Sequence, residues 1–280
     1  ARSLRSASTK TFGMVVPAIT NPFFAEITNM IETYAWEAGY QIILCTSNDP
    51  QREAEQLQTL FQRRIDGAIV IHAGTEPADF SREWSVPTIF VDRPVTDYPS
   101  IATDNMHGGK LAMQHLVEVL GHEQVAIMAG DAHIKNIQHR MAGAQDVLKA
   151  HSISAPESYV VHGTQALETG LMANRFWQLD NPPTAIFATN DIIAIGVWHS
   201  CIAANVRVPE DVSIIGYDNI LWSSLMVPPL TTIAQPTDAI CKRAVADLVA
   251  ATEGQDLQPV TIELKPNLIV RQSTKSRHPN

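Results

Sequence analysis

The stretch that decides the fold reads Phe12-Gly-Met-Val-Val-Pro17, then Asn21-Pro-Phe-Phe24 and, after a helical pattern, Gln41-Ile-Ile-Leu-Cys45. The first and last runs are short and apolar, which is typical of buried strands. Asn21 can cap the helix between them, and Pro22 suits the first helical position because its missing N–H would have no helical partner there. A strand, a helix and a second strand in this order predict two parallel strands in one sheet.

The same alternation continues to the other end of the chain. Further runs with strand character are Gly67–Ile71, Thr88–Val91, Gln124–Met128, Tyr159–His162, Ala185–Ala188 and Val212–Tyr217. Helical patterns are found at Gln51–Arg64, Gly109–Leu120, Ile137–Ala150, Glu168–Leu179 and Asp191–Ala204. Two such cycles predict an α/β fold of two similar halves, each with a parallel sheet covered by helices on both faces.

Composition restricts the possible functions. The chain has 280 residues, of which 45% are hydrophobic, and a net charge of −9. No apolar run approaches the roughly 18 residues that a membrane span requires, so we expect no membrane association. The negative charge disfavours nucleic-acid binding by the body of the chain. Cys45, Cys201 and Cys241 are too widely spaced for a disulfide framework or a metal site, which favours reduced thiols in a cytoplasmic protein.

Motifs for catalysis are weak throughout the sequence. Gly108-Gly-Lys110 is similar to part of a phosphate loop, but Asp104 replaces the required earlier glycine and no Ser or Thr follows the lysine. The sequence has no dinucleotide fingerprint, no nucleophile elbow and no histidine spacing suited to a metal. Asp92 lies beside Arg93, which would keep the carboxylate ionised and hydrogen-bonding. We therefore expect a binding protein with no catalytic residues, no metal and no cofactor.

Aromatic, amide, carboxylate and guanidinium side chains recur where predicted strands end or helices begin. They are Asn21, Phe23, Phe24, Asp92, Arg93, Arg140, Asn190 (followed by Asp191), Asp218 and Gln235. Because ligands of open parallel sheets bind beyond the carboxyl ends of the strands, these residues can converge on one cleft. Aromatic faces suit the C–H surface of a sugar ring, and the polar groups suit its hydroxyls. Taken singly, the two phenylalanines could be helix packing, Asn190 and Asp218 caps or turns, and Arg140 a surface residue.

Motifs spread over essentially the whole chain form an ordered set. They are Gly13-Met-Val-Val-Pro17 with Asn21-Pro-Phe-Phe24, Asp66-Gly67, Val91-Asp-Arg93, Arg140-Met-Ala-Gly143, Pro183-Thr-Ala-Ile-Phe-Ala-Thr-Asn-Asp191, Val208-Pro-Glu-Asp-Val-Ser-Ile-Ile-Gly-Tyr-Asp218, Pro229-Leu-Thr-Thr-Ile-Ala-Gln235 and Leu268-Ile-Val-Arg-Gln-Ser-Thr274. Together they resemble the ligand-binding region of the lac repressor family of bacterial transcription regulators. The resemblance implies a two-lobed periplasmic-binding-protein-like fold, with residues 11–103 and 236–260 in an N-terminal lobe and residues 104–235 and 261–275 in a C-terminal lobe. It also implies a monosaccharide effector in the cleft between the lobes.

The basic N-terminus favours a regulator over a transport protein of the same fold. Ala1-Arg-Ser-Leu-Arg-Ser6 resembles the hinge helix that joins the family's DNA-binding headpiece to the sugar-binding body, so we expect residues 1–10 to be a hinge remnant without its headpiece. In the family, the leucine matching Leu4 enters the DNA minor groove and basic neighbours such as Arg2 suit the phosphates. The alternative is a disordered tail. The resemblance implies a cytoplasmic homodimer that binds operator DNA; a periplasmic sugar-binding component of a transporter and, more remotely, a sugar-modifying enzyme are the alternatives.

The site pattern is similar to that of ribose-binding proteins. In that subgroup, residues matching the nine above contact the sugar ring or its hydroxyls. The subgroup closes the second face of the ring with an aromatic residue where this chain has His162-Gly-Thr164. The resemblance therefore implies a ribose-like monosaccharide, with His162 stacked on the ring or with a pocket shaped for another sugar.

Overall fold

The computed structural model describes residues 8–74, 86–163 and 166–277. Arg2 and Leu4, the two predicted DNA contacts, lie outside these ranges. No helix in the described part combines the length and the hydropathy needed to cross a bilayer.

Strands and helices alternate along the chain. The strands are β1 (Thr11–Val16), β2 (Gln41–Thr46), β3 (Gly67–Val70), β4 (Thr88–Val91), β5 (Ser100–Thr103), β6 (Val125–Ala129), β7 (Val160–His162), β8 (Ala185–Ala188), β9 (Ser213–Asp218), β10 (Thr231–Ala234), β11 (Thr261–Leu264) and β12 (Asn267–Ile269). The α-helices are α1 (Pro22–Glu37), α2 (Pro50–Gln62), α3 (Asn105–Gln114), α4 (Lys135–Ala150), α5 (Ala166–Leu171), α6 (Asp191–Ala203), α7 (Leu221–Leu225) and α8 (Thr237–Thr252).

The elements form two compact α/β units, as the sequence predicted. One unit runs up to Ala102 and resumes with Thr237–Leu264; the other takes Thr103–Pro236 and the chain from Lys265 onward. The sheet of the first unit has the strand order β11-β5-β4-β3-β1-β2, and that of the second has the order β12-β10-β9-β8-β6-β7. Strands β1 to β4 are parallel to their neighbours in the first sheet, and β6 to β10 are parallel in the second. The predicted fold class is therefore confirmed.

Two features near the C-terminus differ from the expectation. Residues 261–264 were assigned to the second lobe, but they form β11, which lies beside β5 in the first unit. The Ser100 amide donates to the Val260 carbonyl at 3.0 Å, so the contact of this edge segment with β5 begins one residue before β11. In addition, β12 pairs antiparallel with β10, which makes the second sheet mainly rather than wholly parallel.

The core explains why the strand runs are apolar on both faces. Alternate residues of β6 belong to two separate buried clusters: Ile127 packs in one and Met128 in the other. Such double-sided burial is expected for parallel strands covered by helices on each face. Because these strands are parallel, their carboxyl ends lie at one edge of the sheet, and the candidate site residues follow the strands at that edge.

The glycine pair at 108–109 has a packing role. A Cβ at Gly109 would collide with the Arg140 carbonyl, and a Cβ at Gly143 would collide with the Met106 carbonyl. Helices α3 and α4 therefore approach through their glycines. This close contact accounts for Gly108-Gly-Lys110 without a phosphate ligand.

Candidate functional site

The first unit brings Asn21, Phe23 and Phe24 together at the start of α1. Asn21 is the N-cap, and its Oδ1 accepts from the Phe23 amide at 3.1 Å. The two phenylalanine rings are 5% and 7% exposed, with their centroids 5.5 Å apart. The capping and packing roles considered for these residues are therefore both present in the structure.

Asp92 and Arg93 lie directly after β4, beside the same aromatic pair. Asp92 has φ +66°, a left-handed conformation that is uncommon for a residue with a side chain. Its Oδ2 lies 3.9 Å from Arg93 Nε, and the Arg93 guanidinium lies 5.5 Å from the centre of the Phe24 ring. Arg93 Nη1 also donates to the carbonyls of His72 and Ala73, at 2.9 and 3.0 Å. The arginine is thus held in place by backbone that follows β3.

Glu53 on α2 supports this arrangement, and sequence reasoning did not single it out. The side chain is 1% exposed, and its Oε2 accepts from the Ala73 amide at 2.5 Å. Burial raises the pKa of Glu53 to about 7, although the Ala73 hydrogen bond and the charge of Arg93 act in the opposite direction. Glu53 lies among the polar residues of α2, so nothing in the sequence distinguished it from a solvated helix face.

Arg140 is the centre of the candidate site in the second unit. It projects from α4, and its side chain is 5% exposed. Nε donates to Asn105 Oδ1 at 2.7 Å, and Nη1 donates to the Thr189 carbonyl at 2.7 Å. The guanidinium stacks 3.6 Å from the centre of the Tyr217 ring. Arg140 is therefore a buried, immobilised cation rather than a surface residue.

Asp218 and Gln235 complete this cluster at the ends of the adjacent strands β9 and β10. Asp218 Oδ1 accepts from Arg140 Nη1 at 3.4 Å and from Gln235 Nε2 at 2.7 Å. Gln235 Oε1 accepts from Thr103 Oγ1 at 2.6 Å, which orients the amide. The structure thus brings three of the predicted residues into one hydrogen-bonded group, and it adds Thr103 and Asn105 to them.

Asn190 and His162 stand apart from that hydrogen-bonded group. Asn190 is half-buried and caps α6, where its Oδ1 accepts from the Ile193 amide at 2.7 Å. It follows β8, the neighbour of β9, so it lies at the same edge of the sheet as Asp218. His162 is exposed at the end of β7, the outermost strand on that side. A role of His162 in stacking on a sugar stays a prediction.

Asp191, the residue after Asn190, is a buried carboxyl that was noted beside Asn190 in the sequence but not predicted as a ligand residue. It is 0% exposed. Burial raises the pKa of Asp191 well above its usual value, and the charge of Asp218 raises it further. Hydrogen bonds from Thr232 and from the Ile220 amide oppose the shift, as does the charge of Arg271. The Asp191 carboxyl thus accepts hydrogen bonds from two other segments, although burial still dominates its pKa.

The residues around Arg93 in the first unit and around Arg140 in the second can bind a polar ligand, but neither set has the arrangement of a catalytic site. In residues 8–74, 86–163 and 166–277, no three His, Cys, Asp or Glu side chains are placed to hold a metal ion. The buried thiols of Cys201 and Cys241 have pKa values raised by burial to about 12, which makes them poor nucleophiles. What the described residues offer is a set of fixed donors and acceptors beside aromatic rings.

Comparison with known proteins defines the class of this protein. Residues 113–274 match the family model of the periplasmic binding protein-like domain. The chain belongs to the LacI family of transcriptional repressors and forms its effector-binding region, with the fold shared by periplasmic binding proteins.

The relatives include repressors of two kinds. The chain is 35% identical to the ribose operon repressor of Escherichia coli K12, over 98% of this chain and 84% of the relative. It is 33% identical to the transcriptional repressor PurR of Photobacterium profundum, with the same coverage. A LacI family transcriptional regulator from Enterococcus faecium, solved with bound ribose, superposes with a TM-score of 0.84 and 27% identity over 96% of this chain and all of that one. The family predicted from the sequence is confirmed, and these relatives are regulators rather than enzymes.

Proposed function

We propose that this chain senses a ribose-like monosaccharide for a transcriptional repressor. The observation that best supports this proposal is the cluster of Arg140, Asp218 and Gln235. It places a guanidinium, a carboxylate and an amide in one buried group. Similarity to the ribose operon repressor and to the ribose-bound regulator supports a pentose. The ligand set of the proposal comprises Asn21, Phe23, Phe24, Asp92, Arg93, Arg140, His162, Asn190, Asp218 and Gln235.

The candidate residues of both units have side chains that suit a polyhydroxylated ring. Carboxylates such as Asp92 and Asp218 accept hydrogen bonds from hydroxyls, while arginine donates in a fixed fork. Phe23 and Phe24 offer aromatic surface for the C–H groups of the ring. Because most of these side chains are already held by protein hydrogen bonds, little rotamer freedom remains to be lost when a ligand binds.

In the intact repressor, we propose that effector binding changes the affinity for operator DNA. The net negative charge of the chain disfavours DNA binding by its main part. We therefore assign the DNA contact to a headpiece and to a hinge that includes Arg2 and Leu4. The sugar would favour one arrangement of the protein over another, and operator affinity would follow by reciprocal coupling. Such a regulator works in the cytoplasm, where its DNA lies.

We propose that the working form is a homodimer. Around α7, the side chains of Leu221, Leu225 and Val227 are 68%, 68% and 85% exposed, and Trp222 is half-exposed. A cluster of large apolar side chains in solvent marks an interaction surface, and a second copy of the chain supplies the same surface. Sedimentation analysis of Leu221→Asp should show a shift from dimer to monomer relative to the parent protein.

The effector is tested by calorimetric titration and by thermal shift with D-ribose. A specific ligand raises the melting temperature by mass action. Asp92→Asn keeps the shape of the side chain and removes the charged acceptor, so we expect D-ribose affinity to fall by roughly 10- to 100-fold. Asp97→Asn is the matched control, because Asp97 also follows β4 with a left-handed backbone but is exposed. Equal binding by both variants and the parent protein would place the sugar elsewhere.

A purine base is the second candidate effector, because PurR repressors match almost as closely as ribose repressors. Adenine, guanine and hypoxanthine therefore belong in the same titration. A purine stacks on aromatic rings but lacks the vicinal hydroxyls of a pentose. Binding of a purine base without binding of D-ribose would replace the sugar in this proposal and leave the repressor class intact.

A further inference from the structure

We propose that Asp191 and Thr232 are positioning residues, which hold the backbone after Asp218 so that the Asp218 carboxylate faces the effector. This inference rests on the proposed function, since it assigns a task to residues behind the same site. Neither side chain needs to touch the ligand, because both are 0% exposed.

The backbone at the end of β9 has an unfavourable conformation that needs support. Asp218 has φ +106° and Asn219 has φ +58°, so two consecutive residues with side chains adopt left-handed conformations. Such conformations persist only where the surrounding structure enforces them. They turn the chain sharply at the residue whose carboxylate contacts Arg140 and Gln235.

Asp191 and Thr232 supply that support through hydrogen bonds to consecutive amides. Asp191 Oδ2 accepts from the Ile220 amide at 3.0 Å, and Asp191 Oδ1 accepts from Thr232 Oγ1 at 2.6 Å. Thr232 Oγ1 in turn accepts from the Asn219 amide at 3.4 Å. One carboxylate and one hydroxyl therefore hold both residues that follow Asp218.

The present position of the Asp191 carboxyl depends on a glycine in β9. A Cβ at residue 216 would collide with Asp191 Oδ1, so only glycine on β9 admits the carboxylate there. From the other side, Arg271 Nη2 donates to Asn219 Oδ1 at 2.6 Å. Asp191 also adjoins Asn190 in the chain. The buried carboxylate thus ties the segment that carries one proposed ligand residue to the segment that carries another.

Thr232→Val is the decisive variant, because valine keeps the β-branched shape in β10 and replaces the hydroxyl by a methyl group. We expect its affinity for D-ribose to fall about tenfold, because the variant loses both hydrogen bonds of the Thr232 hydroxyl, to Asp191 and from the Asn219 amide. We also expect faster hydrogen exchange at the Asn219 and Ile220 amides, measured by NMR on the unliganded protein. Asp191→Asn should change both quantities in the same direction.

Thr184→Val is the matched control at the opposite end of the sheet. Thr184 precedes β8, and its hydroxyl bonds to His122 Nδ1 at 2.9 Å. This variant should melt at a lower temperature yet bind D-ribose like the parent protein, which separates positioning from general destabilisation.

The two readouts keep this inference distinct from the proposed function. Unchanged exchange of the Asn219 and Ile220 amides in Thr232→Val overturns the inference whatever the affinity. Changed exchange with unchanged D-ribose affinity overturns it too. If the parent protein does not bind D-ribose, the sugar part of the proposed function fails. The affinity comparison is then made with whichever purine base the parent binds, while the exchange measurement stands as it is.

Discussion

Replacement of Arg140 by methionine removes a buried cation while keeping an unbranched side chain in its space. The guanidinium donates to Asn105 Oδ1 and to the Thr189 carbonyl at 2.7 Å, and to Asp218 Oδ1 at 3.4 Å. Loss of one partner from a buried ion pair costs about 3–5 kcal/mol, because the other charge stays behind. We expect a loss at the lower end, about 3 kcal/mol, since Gln235 continues to donate to Asp218.

Arg207→Met provides the control for this prediction. Arg207 pairs with Asp211 at 2.6 and 2.9 Å, closer than Arg140 lies to Asp218, but its side chain is 70% exposed. Exposed pairs contribute about 0–1 kcal/mol, because water screens them and both chains lose freedom. The shorter pair should therefore matter less for stability than the longer one.

Urea unfolding followed by tryptophan fluorescence measures both variants, since Trp177 and Trp198 report on the second unit. The expected order is a large decrease in the unfolding free energy for Arg140→Met and a much smaller decrease for Arg207→Met. D-ribose binding should be lost only in Arg140→Met. Equal stability of the two variants would refute the argument that burial, rather than distance, decides the contribution of these pairs.

Three further predictions concern buried groups elsewhere. Burial lowers the pKa of His122 from 6.5 to about 4, so between these pH values the unfolded chain binds a proton that the folded protein does not. Urea titrations should therefore show the unfolding free energy falling as pH drops from 6.5 to 4. The decrease should be less steep in His122→Gln. Burial raises the pKa of Glu53 from 4.5 to about 7, so its contribution to stability declines as pH rises from 4.5 to 7, and Glu53→Gln should be more favourable at pH 8 than at pH 5 relative to the parent protein in the same assay. Gly109→Ala should lower the unfolding free energy measured in urea by about 1–3 kcal/mol, because its Cβ would force α3 away from the Arg140 carbonyl. At Gly39 a Cβ would meet no atom, but alanine would have to adopt a left-handed backbone, so Gly39→Ala should cost about 1 kcal/mol.

Local sequence signals were sufficient for most strands and helix starts. The apolar run before Asn21 became β1, and Asn21 and Pro22 begin α1 in the predicted roles. The helix predicted at Glu168–Leu179 is different: α5 ends at Leu171, and Met172–Gln178 continues as a 3-10 helix. Periodicity alone does not distinguish these helix types over one or two turns. The edge strand β11 was missed because its alternating burial is weak and its pairing with β5 is non-local.

For the candidate site, the sequence indicated residue types and their positions after strands, but not their partners. Arg140, Asp218 and Gln235 were predicted as separate ligand contacts, and the structure joins them in one hydrogen-bonded group. The burial of Arg140 depends on Asn105 and Tyr217, which come from other segments. Glu53 was missed, and Asp191 was noted beside Asn190 but not predicted as a ligand residue, because a carboxyl on a helix usually faces water. Only the tertiary packing brings these two carboxyls close to the candidate residues Arg93 and Asp218.

In the proposed function, Asp218 of the second-unit cluster engages the ligand while Arg140 and Gln235 stay in place. Asp218 Oδ1 is shared between Arg140 and Gln235, so a ligand hydroxyl can compete for this carboxylate. Arg140 would keep its bonds to Asn105 and Thr189, and Gln235 would keep its bond from Thr103. The ordering of these side chains is therefore achieved during folding rather than at binding, which favours affinity for a small polar effector. Under the proposed function, stability and effector binding depend on the same hydrogen bonds, so variants of Arg140 should lose both together.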